Sequence, residues 1–350
     1  MTKEEQKSYM VSILEKIVNI PSPSGYTKEV MAALAAEAQS MGYEVEYNHK
    51  GGIIILVPGK SEQVLGLGAH GDTLGAMVRS VTKDGYLKIF PVGGYMMSTI
   101  EGEYCRIHCR RNGKNYSGTV LTTKPSVHVY DDCRTQDRVA ENMEIRIDEL
   151  VENDKDVEAL GIGAGDFVSF APRFEYTPSG FIKSRHLDDK ASVAVLMTFL
   201  KYMHETGKKP ERTLKIMFTN YEEIGHGASF IPQDIEEFLA VDMGALGDDL
   251  TGDERKVSIC AMDSSGPYDY DMTNRLIRLA QEHGLDYAVD IFPHYGSDVS
   301  AALRGGNNIR GALIGQGVHA SHGMERTHIQ GMVNTLELVK AFAGVAADHD

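Results

Sequence analysis

The 350-residue sequence is short of basic charge: 35 lysines and arginines stand against 50 aspartates and glutamates, a formal net charge of −15. Nucleic-acid binding needs a basic patch that displaces counterions from phosphates, so no nucleic acid is expected as partner. Nor does any run approach the roughly twenty apolar residues that cross a bilayer, and the opening MTKEEQKSYM has neither a basic leader nor an apolar core. These deficits predict a cytoplasmic protein with no membrane association. The four cysteines, Cys105, Cys109, Cys133 and Cys260, fit no zinc-finger or disulfide spacing and are expected to be buried free thiols. Internal repeats and low-complexity segments are also missing. What is present is an ordinary globular composition, 42% hydrophobic and 24% charged, in a chain long enough for one or two domains.

Periodicity divides the chain into two textures. Thr2 and Glu5 make a capping box, after which Met10, Ile13, Leu14, Ile17 and Val18 recur at helical spacing until the stretch Pro21 to Gly25. A second helix is expected from Thr27 to Met41, ahead of Gly42. Strands follow at Tyr43 to Tyr47, Ile53 to Val57 and Val64 to Ala69. The unbroken run Ile53-Ile54-Ile55-Leu56-Val57 has the pattern of a strand covered on both faces, which requires helices above and below the sheet.

Between about Leu74 and Tyr176 the pattern turns to short alternating segments punctuated by turns such as Asp84-Gly85 and Asn112-Gly113, without a long helical stripe. One of them, EYCRIHCRR, places Cys105, Ile107 and Cys109 on one face and Arg106 and His108 on the other. Helix and strand signals resume near Gly180. They predict a helix from Leu187 to Tyr202, a strand from Thr213 to Thr219, another ending at Asp242, and a helix from Asn274 to His283. Beyond these come a short helix after Ser297, a strand from Ile309 to Ile314, and a last helix burying Ile329, Met332, Val333, Leu336 and Val339. The expected architecture is α/β: a mixed sheet flanked by helices, with a small β-barrel-like domain (74–179) inserted into a discontinuous main domain (1–73 and 180–350).

Chemistry-bearing residues recur at the ends of these segments. Asp188 and Asp189 head the apolar run that ends near Leu200. Adjacent carboxylates raise each other's pKa when buried unless a cation lies between them, although aspartate also favours helix starts. They are accompanied by His70 and Asp72 in AHGDT, Glu222 and Glu223 in NYEEIG, Asp242 in AVDMG, and His322 in SHGMERTH. In open α/β sheets ligands bind beyond the carboxyl ends of the strands, which makes these scattered residues candidates for one site. Singly, each has a plainer reading: a surface histidine, a solvated helix start for Glu222-Glu223, a turn for Asp242. Together they offer imidazole and carboxylate without thiolate, which suits Zn, Co or Mn, and a carboxylate is at hand to bridge two metals about 3.5 to 4 Å apart.

In order along the chain, AHGDT, LDDKAS, YEEIG, VDMG, the GSD at Gly296 and SHG resemble the motifs of the tetrahedral aminopeptidases, the family that includes glutamyl and deblocking aminopeptidases. IDELVENDKDVEALGIGAGDFVSF, inside the insert, is similar to a run characteristic of that family. The resemblance covers essentially the whole chain. It implies a zinc-exopeptidase-like sheet and an exopeptidase that removes amino-terminal residues from peptide substrates, using two divalent metal ions, zinc foremost and cobalt or manganese as alternatives. It further implies that His70 and Asp242 bind one metal, Glu223 and His322 the other, and that Asp188 bridges both. Glu222 is then the general base, Asp72 hydrogen-bonds the second imidazole nitrogen of His70, and Asp189 stands outside the ligand set. The insert is implied to mediate homo-oligomerisation, with dimers building a twelve-subunit tetrahedral particle.

Two positions depart from the family pattern. Thr73 stands where the family usually has glutamate, and the spacing in His322-Gly323-Met324-Glu325 is one residue short, which keeps His319 open as the last ligand. His128 resembles a position where the family's insert turns back toward the active site, and His294 in FPHYGSD faces either the pocket or the surface. The rival readings are a related two-metal deacylase, aminoacylase or carboxypeptidase, and a non-catalytic binding homologue. The latter is disfavoured because neither base nor ligand is missing.

Overall fold

The computed structural model describes residues 1–345. The apolar run at Ile53–Val57 is the covered strand its composition predicts, with all but half-buried Leu56 buried. It pairs antiparallel with Arg212–Thr219, and from there the sheet is parallel: Arg212–Thr219, Ser61–His70, Ile235–Val241 and Arg310–Val318 lie side by side in the same direction. Val257–Asp263 joins the far side antiparallel, and Glu44–Tyr47 closes the near edge of the ten-stranded sheet. Alternate residues feed two cores, as strand geometry requires. Leu214, Ile216, Leu239 and Ile314 face helices Lys3–Val18, Leu187–Thr206 and Ile329–Phe342, whereas Met217, Phe238 and Leu313 face helix Asp298–Arg304. The central strand carries Gly68, where a Cβ would fall 2.5 Å from the Phe238 ring. Bare backbone there lets the ring pack against the strand.

Helix Leu187–Thr206 is buried on all sides from Ala191 to Leu200, the condition of a helix enclosed in a core. Its Lys190 reaches out to donate to the carbonyls of Ile17 and Ile20 at 2.8 and 2.9 Å. Both carbonyls lie where the first helix ends, and that of Ile17 also accepts the Ile20 N–H.

The insert is a closed barrel of six strands in the order Gly75–Val81, Leu87–Val92, Met143–Ile147, Asn115–Thr122, Tyr104–His108 and Phe167–Phe170. Its own core includes Val78, Ile89, Ile107, Val120, Ile145 and Val168. The chain enters it just after His70 and leaves through Phe181–Ser184, which pairs with Glu325–His328 immediately before Leu187. The architecture is the expected mixed sheet flanked by helices with a barrel inserted. All four cysteines are free and buried, and no helix among the described residues is long and apolar enough to cross a membrane.

Several local expectations differ from the structure for identifiable reasons. Asp188 and Asp189 are not an ordinary helix start, since both have non-helical backbone angles and the regular helix begins after them. His108, placed opposite the buried thiols, is itself buried: Tyr26 of the main domain stacks on it at 4.5 Å, and Asn115 and Ser169 bond its two nitrogens. A barrel strand has an outer face open to solvent only where no neighbour covers it. The insert also holds a short helix, Asp154–Leu160, capped by the Asn153 side chain; seven residues are too few to display a helical stripe. The helix expected from Asn274 starts earlier, at Tyr270, where Asp269 accepts the N–H of Met272. In the last helix Val333 is only half-buried and Leu338 is buried instead.

Candidate metal centre

Four parallel strands deliver the candidate residues to one edge. Ser61–His70 ends on His70 itself. Arg212–Thr219 runs into the short turn Glu222–Ile224, Ile235–Val241 is followed by Asp242, and Arg310–Val318 leads to His322. Asp188 and Asp189 enter from the head of the buried helix. Asp242 is held by close backbone packing: its N–H donates to Ile314 O at 2.9 Å, and a Cβ on Gly315 would sit 1.5 Å from its carbonyl oxygen.

Asp188 lies at the centre. Its Oδ1 is 3.0 Å from Nε2 of His70, and its Oδ2 is 3.2 Å from Nε2 of His322. His322 Nε2 is also 3.4 Å from Glu223 Oε2, and His70 Nε2 is 3.7 Å from Glu222 Oε2. Two trios have ligand atoms within 4.8 Å of one another, His70 with Asp188 and Glu223, and His70 with Asp189 and Asp242. Glu223 Oε1 and Asp189 Oδ1 are buried with no hydrogen-bond partner. Buried carboxylate oxygens of that kind are costly unless something positive meets them, so the donor set fits divalent cations.

The electrostatics point the same way. Burial pushes the Glu222 carboxyl well above the usual carboxylate range, with Asp242, Asp298 and Glu223 adding to the effect. Glu223 is raised by burial and by Asp188, and Asp242 is pushed up to about 7 by the same two causes. Burial would lower His322, but Asp188 and Glu223 outweigh it and take the imidazole up to about 11. Burial opposes ionisation of Asp188 as well, yet hydrogen bonds from His322 and His70 hold it below the carboxylate range. Carboxylates crowded at this density share protons unless cations replace them.

Asp72 meets His70 differently from expectation. It is the backbone carbonyl of Asp72 that lies 3.0 Å from Nδ1, while its carboxylate stands off at 3.6 Å. The carboxylate instead accepts Ser24 Oγ at 2.5 Å and the N–H groups of Glu222 and Glu223 at 3.2 and 3.3 Å. It thereby fixes the turn that presents both glutamates. Asp189 is closer to the cluster than the motif reading implied: its Oδ2 accepts the His70 N–H at 3.1 Å.

Three contributors had no role assigned from the sequence. Glu325 is buried and accepts the N–H groups of both Asp188 and His322. Asp298, the aspartate of the GSD motif, for which the sequence suggested no role at the site, accepts Thr219 Oγ1 and the Ala228 N–H. Gly94 offers its carbonyl to Nδ1 of His322. The first two are visible in the sequence as the glutamate shortly after SHG and the aspartate of GSD, whereas a backbone carbonyl leaves no sequence signal. Of the alternatives, His319 is exposed and engaged through its backbone with Arg326, and His128 is exposed on the insert. Thr73 is buried, with its backbone paired to Ser22 and Ser24. His294 lines the mouth of a cavity of about 550 Å³ that opens onto Asp188, Glu222, Glu223, Asp242 and His322.

Comparison with known proteins gives three findings. The sequence profile described as "M42 glutamyl aminopeptidase" matches residues 51–338. The "Putative aminopeptidase YhfE" of Bacillus subtilis is 49% identical over 331 residues, covering 94% of this chain and 95% of that protein. Among solved structures, aminopeptidase APDkam598 from Desulfurococcus kamchatkensis superimposes with a TM-score of 0.86 at 20% identity, over 97% of this chain and 96% of its own. The TET1 peptidase of Pyrococcus horikoshii, which can assemble into a tetrahedron or an octahedral shell, does so with a TM-score of 0.83 at 22% identity, over 95% and 99%.

Proposed function

The chain belongs to the M42 glutamyl aminopeptidase family and is a metal-dependent aminopeptidase; on that premise we propose that the cluster is its catalytic centre. His70, Asp188, Glu223, Asp242 and His322 hold two divalent cations, and Glu222 is the general base. The observation that carries this assignment is the position of Asp188, whose two oxygens face two different imidazoles as a bridging carboxylate must. Zinc is the cation we assign, with cobalt or manganese able to use the same donors. When bound, the cations supply Lewis acidity that lowers the pKa of water and polarises a peptide carbonyl.

The chain's own groups do the rest. Burial keeps Glu222 a weak acid, so its carboxylate is basic enough to take a proton from the attacking water and return it to the leaving amine. Asp72 holds Glu222 and Glu223 in place through their N–H groups, which makes it a positioning residue. The substrate is a peptide with a free amino terminus; a deacylase or carboxypeptidase would not require that amine. We place the enzyme in the cytoplasm as a homo-oligomer, with the barrel (74–179) as the assembly domain and 1–73 with 180–350 as the catalytic one. Phe90, Met96, Tyr104, Val127 and Val129 are exposed on the insert and supply apolar surface for such contacts. By likeness to the TET1 peptidase, dimers joining into a dodecamer is the assembly we expect, and sedimentation at dimer size would count against it.

The test is Glu222→Gln. Loss of the base should lower turnover of an aminoacyl p-nitroanilide by about 10²- to 10⁴-fold while metal content stays at the wild-type value. Activity retained at unchanged metal content refutes the assignment.

A further inference from the structure

The lining of the cavity beside the cluster is of two kinds. One is the carboxylates and His322. The other comes from where the chain runs on from Asp242 and where strand Tyr287–Phe292 ends, and it consists of Met243, Ala245, Leu250, Phe292 and Pro293. Phe292 and Met243 are buried. The ring of Phe292 rests on that of Tyr295 at 5.4 Å, and the Tyr295 hydroxyl donates to Met243 O at 3.1 Å. The apolar walls are therefore tied to each other, and the space between them is set before a substrate arrives.

Two basic side chains other than the candidate ligand His322 reach the lining, and both are exposed at the mouth: His294, and Arg304 with its Nη1 3.2 Å from Ser265 Oγ. No basic side chain among the described residues stands between the apolar walls. We infer that this cavity receives an uncharged, apolar amino-terminal side chain of the leucine or methionine class and refuses glutamate and lysine. The inference rests on the aminopeptidase reading and departs from the family's glutamyl label.

The physical ground is desolvation. A methylene chain entering this space replaces water with carbon contacts. Between the apolar side chains a carboxylate or ammonium gives up its hydration without a counter-charge: the basic side chains of Arg304 and His294 stand exposed at the mouth, and the only carboxylates lining the cavity are the candidate ligands and the general base. Rejection of a charge by an unpaired apolar pocket is much steeper than discrimination between two aliphatic residues.

The experiment is a panel of leucyl, methionyl, glutamyl and lysyl p-nitroanilides with metal-loaded protein, wild type and Leu250→Arg. Wild-type kcat/KM for the leucyl and methionyl substrates should exceed that for glutamyl and lysyl by about 100-fold. L250R places a guanidinium in the apolar lining and should narrow the leucyl-to-glutamyl ratio at least tenfold. If L250R fails to fold, product inhibition of the wild type decides, with free leucine inhibiting and free glutamate not. Glutamyl or lysyl hydrolysis within threefold of leucyl overturns the inference, as does glutamyl preference that disappears in Arg304→Ala. Failure to cleave any free amine with metals bound overturns the aminopeptidase reading itself, and this inference with it.

Discussion

His322 presents Nδ1 to the carbonyl oxygen of Gly94, a residue 228 positions earlier in the chain and part of the barrel insert. A carbonyl can only accept, so Nδ1 carries the proton and Nε2 is left for Asp188 and Glu223. The barrel thus selects the tautomer of a candidate ligand that it does not itself contain. Arg185 reinforces the junction: its guanidinium is buried and donates to Glu103 at 2.8 and 3.1 Å, to Thr99 O, and more weakly to Gly323 O beside His322.

Replacing Arg185 with Met, which conserves bulk but removes the donors, should loosen the His322 loop and weaken metal retention by about 10- to 100-fold. Competition with a chromogenic chelator measures this directly, and R185K should recover part of the loss. Wild-type retention in R185M would show that the barrel does not position the ligand.

Glu325 joins Asp188 and His322 through their N–H groups at 3.0 and 2.9 Å. Glu325→Ala removes both acceptors at once and should reduce bound metal per subunit measured by elemental analysis. Glu325→Gln keeps one acceptor oxygen and should fall between. Equal metal content in all three proteins would assign Glu325 a role in packing alone.

Metal binding should expel protons. In the metal-free cluster the His322 imidazole is raised to about 11 and that of His70 well above its ordinary value. Groups raised in this way keep their protons at neutral pH, and a cation must displace them. Apparent affinity therefore rises with pH between 6 and 8. Calorimetric titration in buffers of different ionisation enthalpy should report net proton release, and a heat independent of buffer contradicts the prediction.

Stability also depends on a buried carboxylate near the start of the strand that leads to Asp242. Glu237 accepts from Arg212 and Arg275 at 2.7 and 2.5 Å and forms an ion pair with Arg310 at 2.9 Å. Burial alone would raise its pKa, but the hydrogen bonds of Arg275 and Arg212 leave it below the carboxylate range. A depressed pKa contributes stability above the unfolded-state value, and that contribution is lost as pH falls through the folded-state value. Glu237→Gln should cost roughly 2 kcal/mol at pH 7 and converge with wild type in acid. Urea titrations at both pH values test this, and a constant gap across pH would sink the explanation.

Much of this molecule is legible in one dimension because strand ends are marked by where apolar runs stop. His70, Glu222, Glu223 and Asp242 follow such runs directly, and parallel strands bring their ends to a common edge. Thr2 with Glu5 likewise marks a helix start by local capping chemistry, whereas the buried helix runs on past the expected Tyr202 to Thr206, where Gly207 caps it. Burial of His108 was not legible, because it depends on which face of the barrel meets Tyr26. Asp72 was legible as a neighbour of His70, but not its preference for Ser24 and the Glu222-Glu223 turn, since those donors come from two other parts of the chain.

Residue types and their order along the chain determined the α/β class, the inserted barrel and a donor set of imidazoles and carboxylates, because hydrophobic period and ligand chemistry are properties of short stretches. Tertiary structure decided which oxygen faces which imidazole, that His322 and not His319 stands beside Asp188, and that apolar side chains from separate segments share one cavity with the carboxylates. These are matters of distance between segments far apart in sequence, and only packing sets them.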